Sequence, residues 1–278
     1  MQLDPHAPAT LRFTCNNCGA QNAHPAATFH RETAACGSCG ANARFRGIIR
    51  ALALGLGIDP HRPLTAWPRQ KQLRGLGMSD WEGYAHHLRD KFDYTNTFYD
   101  RPPTLDIQAP ATELLGSLDF VITTDVFEHI LQPLQTGFDN LCALLKPGGH
   151  LVFSVPYTRL PATREHFPDL HTFEIVNFAG ERILVNRDAQ GRLSARDGLI
   201  FHGGEGATLE MRLFCEADLL ARLAAAGFTD IVVHDQPDLA VGYYWPPLLH
   251  GSEADPRLYA YIITARRPPR ETSDTLIP

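Results

Sequence analysis

The 278-residue chain has no uninterrupted apolar run of 18 residues or more, so no transmembrane helix is expected and no membrane partner. Its first residues, MQLDPHAPATLRF, lack the apolar stretch of an export signal, and the reducing cytoplasm is the expected location. Six cysteines are too few to staple a chain of this length with disulfides. A basic excess is also missing: 25 Lys and Arg stand against 31 Asp and Glu, a net charge of −6. Whole-surface attraction to nucleic acid is therefore not expected, although a local basic patch remains open. Repeats of solenoid period and low-complexity tracts are absent. What is present is globular in kind, with 44% hydrophobic and 20% charged residues and length for one large domain or two smaller ones.

Four of the cysteines fall in the first 40 residues, as Cys15-Asn-Asn-Cys18 and Cys36-Gly-Ser-Cys39. Two residues between thiols let one tight knuckle present both sulfurs to a metal, and two such pairs at this separation match a four-thiolate zinc ribbon over residues 11–43. Gly19 and Gly40 suit the turns that follow each pair. Four thiolates leave no open position for a reacting water, so the zinc is expected to be structural. Arg31, Arg44, Arg46 and Arg50 lie close by, and they suit either a binding edge or packing against the next domain.

Residues 44–66 read as a helix and a connector: Phe45, Ile48, Ile49, Leu52 and Leu56 recur at spacings of three and four. From residue 67 to 266 strand and helix signals alternate, which indicates a mainly parallel sheet covered by helices on both faces. KQLRGLG reads as a strand entering a glycine turn, and Ser79-Asp80-Trp81-Glu82 as a capping box opening a helix. Residues 157–212 interrupt the rhythm as an insertion, with a hairpin in RILVNRDAQGRLSA. Residues 267–278 read as a flexible tail.

The stretch from Asp119 to Pro156 resembles the class I S-adenosylmethionine-dependent methyltransferases. In that family a strand reads D-x-V-x-x-x-D-V-x-E-H and is followed by a helix, K-P-G-G and a strand ending in proline. The counterparts are Asp119, Val121, Asp125, Val126, Glu128, His129, Lys146 to Gly149 and Pro156. The resemblance implies a Rossmann-like, doubly wound, seven-stranded sheet with one antiparallel edge strand, and S-adenosylmethionine as cofactor. It places Gly75 and Gly77 under the methionine part, Asp100 (or Asp93) on the ribose hydroxyls, Asp106 on the adenine amine and Asp125 at the same crevice. The chain departs from the family at the first loop, where two glycines stand in place of three.

For transfer to a hydroxyl, histidine is the natural base near neutral pH. His129 follows the strand end with Glu128 as its orienting partner, and His166, His171 and His202 sit in the insertion that is expected to cap the cofactor. Asp125-x-x-Glu128-His129 also resembles the divalent-metal element of certain 2′-O-methyltransferases. Tyr243-Tyr244-Trp245 suits an acceptor pocket or a core. Three functions stay open at this point. The first is an O-methyltransferase for a small molecule or sugar, the second an RNA- or protein-directed enzyme with the ribbon as reader, the third a non-enzymatic binding module.

Overall fold

A computed structural model of the chain describes residues 10–202, 208–245 and 257–269. The expected tail therefore lies outside the described residues beyond position 269, as does the side chain of His202.

The chain begins with an antiparallel pair, β1 (Thr10–Thr14) and β2 (Gln21–Pro25). Each cysteine pair sits in a tight turn closed by a glycine amide, Gly19 N to Cys15 O at 2.7 Å and Gly40 N to Cys36 O at 2.9 Å. Both glycines have positive φ, 85° and 76°, which is why no larger residue serves. Helix α1 (Ala43–Gly55) starts at Asn42, whose side chain accepts the Phe45 amide at 2.8 Å. Ile48, Ile49 and Leu52 form its buried stripe.

The main sheet is built by β3 (Arg74–Met78), β4 (Asp93–Thr97), β5 (Leu118–Thr124) and β6 (Leu145–Ser154), with α2 (Glu82–Lys91) and α3 (Leu134–Leu144) between them. The insertion contributes β7 (Tyr157–Thr158), β8 (Arg164–Glu165), β9 (Thr172–Phe178), β10 (Glu181–Arg187), β11 (Leu193–Arg196), β12 (Phe201–His202) and β13 (Thr208–Leu209). The chain then returns through β14 (Arg212–Cys215), α4 (Glu216–Ala225), β15 (Thr229–Val233) and β16 (Ile263–Arg266).

Strand order in the main sheet is β15-β16-β6-β5-β3-β4, and β16 alone runs against the others. The doubly wound, mainly parallel sheet is thus present with six strands rather than seven among the described residues. The place beside β4 holds only one parallel bridge, Phe98 to Thr104, because Pro102 and Pro103 in that segment offer no amide to a ladder. The antiparallel strand lies one position in from the edge, not at it.

Side chains alternate across β5 and divide the core. Phe120 and Ile122 join α1, α2 and the ribbon residues Leu11, Phe13 and Phe29 in one apolar cluster. Val121 faces the other side, with Phe138, Leu141, Leu219 and Leu223 of α3 and α4. The ribbon therefore shares a core with the sheet. The insertion's hairpin pairs β10 with both β9 and β11, over a small cluster of Leu184, Leu209 and Met211.

Candidate functional site

The four Sγ atoms of Cys15, Cys18, Cys36 and Cys39 lie within 4.8 Å of one another, 3.7 Å apart for Cys15–Cys39 and Cys18–Cys36. A tetrahedral ion with metal–sulfur bonds of about 2.3 Å needs sulfurs roughly 3.8 Å apart, so the cluster fits a zinc ribbon. The Asn17 and Asn22 side-chain amides donate to the sulfurs of Cys39 and Cys36 at 3.5 and 3.6 Å. Such donors stabilise thiolate charge around a metal.

The second group lies where β3, β5 and β6 end. Strand order reverses between β3 and β5, and a crevice at such a switch point is where open α/β sheets take ligands. The expected glycine turn is not there. Gly75 and Gly77 are inside β3, and a Cβ at Gly75 would stand 2.1 Å from the Phe120 ring, one at Gly77 2.0 Å from the Tyr94 hydroxyl. Glycine is required at both positions by side-chain packing, and the turn comes two residues later, at Ser79 with φ 59°. The capping box is also absent. Trp81 is the N-cap of α2 without a side-chain bond, and Glu82 pairs with Arg89.

Asp80 turns inward from this bend. Its amide donates to Asn96 Oδ1 at 2.9 Å, Asn96 Nδ2 donates to its carbonyl at 2.8 Å, and the Tyr94 hydroxyl donates to its carboxyl. Burial pushes the Asp80 carboxyl up to about 7, outweighing the opposing pull of Tyr94, Tyr84 and Arg44. Asp125, one residue past β5, has φ 56° and receives Arg31 Nη2 at 2.7 and 2.9 Å, Ser154 Oγ at 3.3 Å and Arg44 Nε at 3.6 Å. Burial would raise this carboxyl, but the guanidiniums of Arg31 and Arg44 prevail and hold it at about 2. The other predicted acids stand apart from this network. Asp100 is exposed with Arg101 at 3.9 Å, and Asp106 is exposed and accepts the Gln108 amide. Asp93 opens β4 and so lies at the amino ends of the parallel strands, away from the carboxyl ends where a ribose contact is needed.

The third group joins two predicted histidines. Met211 donates its amide to the Glu128 carbonyl, and His166 donates its amide to the Met211 carbonyl, at 2.8 and 2.9 Å. Nδ1 of His129 meets the Leu209 carbonyl at 2.9 Å, and a carbonyl only accepts, so Nδ1 carries the proton and Nε2 is the basic atom of the neutral ring. Glu128 Oε1 is 3.7 Å from that Nε2, and the Glu128 side chain is fully buried. His166 Nε2 is hydrogen-bonded to Glu210 Oε1 at 2.7 Å. Arg212, fully buried, holds the segment by donating to Glu165 and to the carbonyls of Phe127 and Ile130. His171 is exposed and bonded to Thr172.

Sequence reasoning left open whether the ribbon's arginines pack or bind, and it missed Ser154 and Glu210 altogether. The four arginines turn toward the rest of the protein: Arg46 donates to the Ala41 and Gly242 carbonyls and Arg50 to Asp238. Tyr243 and Trp245 are buried against the same core, with the Tyr243 hydroxyl on the His234 carbonyl, so this cluster closes the core.

A family model described as a methyltransferase domain matches residues 56–231. No curated protein sequence matches the chain. Among solved structures, the chain is similar to a 1,6-didemethyltoxoflavin-N1-methyltransferase from Burkholderia thailandensis, at 16% identity and a TM-score of 0.43 over 81% of this chain and 78% of that one. It is also similar to the CurJ carbon methyltransferase, at 14% identity and a TM-score of 0.40, over 74% of this chain and 51% of that one.

Proposed function

Because the chain belongs to the S-adenosylmethionine-dependent methyltransferases, through the domain spanning residues 56–231, we propose that it methylates an oxygen of a small molecule or sugar. The observation that carries the oxygen acceptor is the pair of fixed histidines. The ring of His129, in the loop that follows β5, is bonded to the Leu209 carbonyl, and the backbone of His166 to that of Met211, two residues on. A hydroxyl must lose a proton as it is alkylated, and a histidine with one nitrogen already bound offers the other as base.

When bound, the cofactor supplies a methyl group activated on a sulfonium centre. The residues at the strand ends fit such a ligand: Asp125 is an ionised carboxylate at the switch point, and Arg31 Nε is a buried donor without a partner. Asp100 and Asp106 are exposed on the neighbouring loops and available to adenosine. Glu128 Oε1 lies 3.7 Å from Nε2 of His129, and Glu210 orients His166. Zinc in the four-cysteine cluster supplies folding energy, and its thiols need a reducing compartment such as the cytoplasm.

The ribbon's arginines support a small acceptor over RNA. Arg31 is 9% exposed and Arg46 fully buried, so these two do not form the basic edge a nucleic-acid reader requires. The test is incubation of the protein with labelled S-adenosylmethionine and fractionated cell extract. Label in the small-molecule fraction, stable as a methyl ether, supports the reading, and label in RNA or protein overturns it. Replacing the catalytic histidine by Gln, at 129 or 166, is expected to cut turnover by about 10²–10⁴-fold with cofactor binding unchanged.

A further inference from the structure

We propose that Arg31 of the ribbon and Arg44 of α1 complete the cofactor site, taking the carboxylate of the cofactor's amino-acid end while Asp125 takes its ammonium group. This rests on the functional reading above and adds to it a role for the ribbon. Asp125 stands at the end of a central parallel strand, where ligands of such sheets bind, yet its ionic partners Arg31 and Arg44 come from 94 and 81 residues earlier in the chain. Arg31 reaches it from the loop between the two cysteine pairs, and Arg44 from the first turn of α1. The same two arginines also hold Glu32, whose side chain is 52% exposed.

Two features separate this cluster from a simple interdomain latch. The Arg31 side chain is nine-tenths buried, but its Nε has no hydrogen-bond partner. A static latch satisfies its buried donors, because each one left open costs free energy. Glu32, the anion that shares both guanidiniums, is exposed and can leave without creating a buried charge.

The ligand class follows from the charges. An α-amino acid end carries an ammonium and a carboxylate on one carbon. Placed between Arg31 and Asp125 it replaces one ion pair by two and adds no net charge. Arg31 presents Nε beside its terminal nitrogens, which is the fork that grips a carboxylate with two parallel bonds. Ser154, already on Asp125 and 3.5 Å from Arg31, adds a hydroxyl to the same place. A consequence is that the metal which fixes the Arg31 loop also sets cofactor affinity.

The experiment is a calorimetric comparison of two ligands on the zinc-loaded 278-residue chain. S-adenosylhomocysteine carries the amino-acid end, and 5′-methylthioadenosine shares the adenosine and sulfur but lacks it. The wild type is expected to prefer the first. Arg31→Ala and Arg44→Gln should each weaken S-adenosylhomocysteine by about 10–100-fold, the range of a charge-assisted bond, and leave 5′-methylthioadenosine unchanged. Zinc content, measured on the same samples, should not change. Equal affinity of the wild type for both ligands overturns the proposal. So does unchanged or tighter binding of S-adenosylhomocysteine in the variants, which would make Arg31 a plug. If Arg31→Ala sheds its zinc and both ligands, the ribbon has collapsed and Arg44→Gln decides by the same criterion. A wild type that binds neither ligand defeats the functional reading itself, which is a separate result.

Discussion

Asp80 and Asp125 end adjacent parallel strands, yet their surroundings drive their charges in opposite directions. Asp80 is enclosed by tyrosines and the Asn96 amide, and its carboxyl rises to about 7. Asp125 is enclosed by guanidiniums and falls to about 2. The two signs give different pH windows. A carboxyl raised on folding binds its proton more tightly in the native state, so its contribution is complete below pH 4 and is lost as pH rises toward 7. For Asp125 the contribution is present above pH 4 and is lost as pH falls toward 2. The unfolding free energy should therefore decline between pH 4 and 7, by up to about 4 kcal/mol if Asp80 acts alone. Asp80→Asn should flatten that slope, because the amide still accepts from Tyr94 and has no proton to lose. Denaturant titrations at several pH values check this, and parallel wild-type and mutant profiles would refute the burial account.

At the scale of elements, the alternation of strands and helices was legible because period and turn chemistry are local. The four-cysteine cluster was legible for the same reason: its spacing is a local geometric demand. Helix α1 followed from its stripe, and the hairpin of β10 and β11 from its glycine loop. Where local rules failed, a distant side chain had intervened. The glycines of β3 read as a turn because glycine usually marks one, but they make room for Phe120 and Tyr94, which lie on neighbouring strands. The Arg31–Asp125 pair leaves no periodic trace at all, since an ion pair across 94 residues imposes nothing on the sequence between. The packing account predicts that Gly75→Val destabilises the protein by about 1–3 kcal/mol or more through overpacking against Phe120. A lowered denaturation midpoint checks it; a variant as stable as the wild type would mean that Phe120 has space to move.

For the whole molecule, the consequence of a shared core is cooperativity. Leu11, Phe13 and Phe29 of the ribbon pack in the cluster that contains Phe92 and Phe120 of the main domain, and Phe45 of α1 stacks on Trp81 at 4.5 Å, directly after the Asp80 bend. Metal removal should then be felt beyond the ribbon. Cys36→Ser is expected to lose zinc and to lower the melting temperature of the entire chain in one transition; a separate early transition with the main domain intact would show that the ribbon melts alone. The same coupling should reach the ligand, because Arg31 lies between the cysteine pairs that the metal ties together. The most direct measurement is therefore a calorimetric titration with S-adenosylhomocysteine, before and after zinc is stripped by a chelator. The zinc-loaded chain should bind one equivalent saturably, and the stripped chain at least about tenfold more weakly. Absence of binding by the loaded protein would contradict the methyltransferase reading, and equal binding by the stripped protein would contradict the role given to its ribbon.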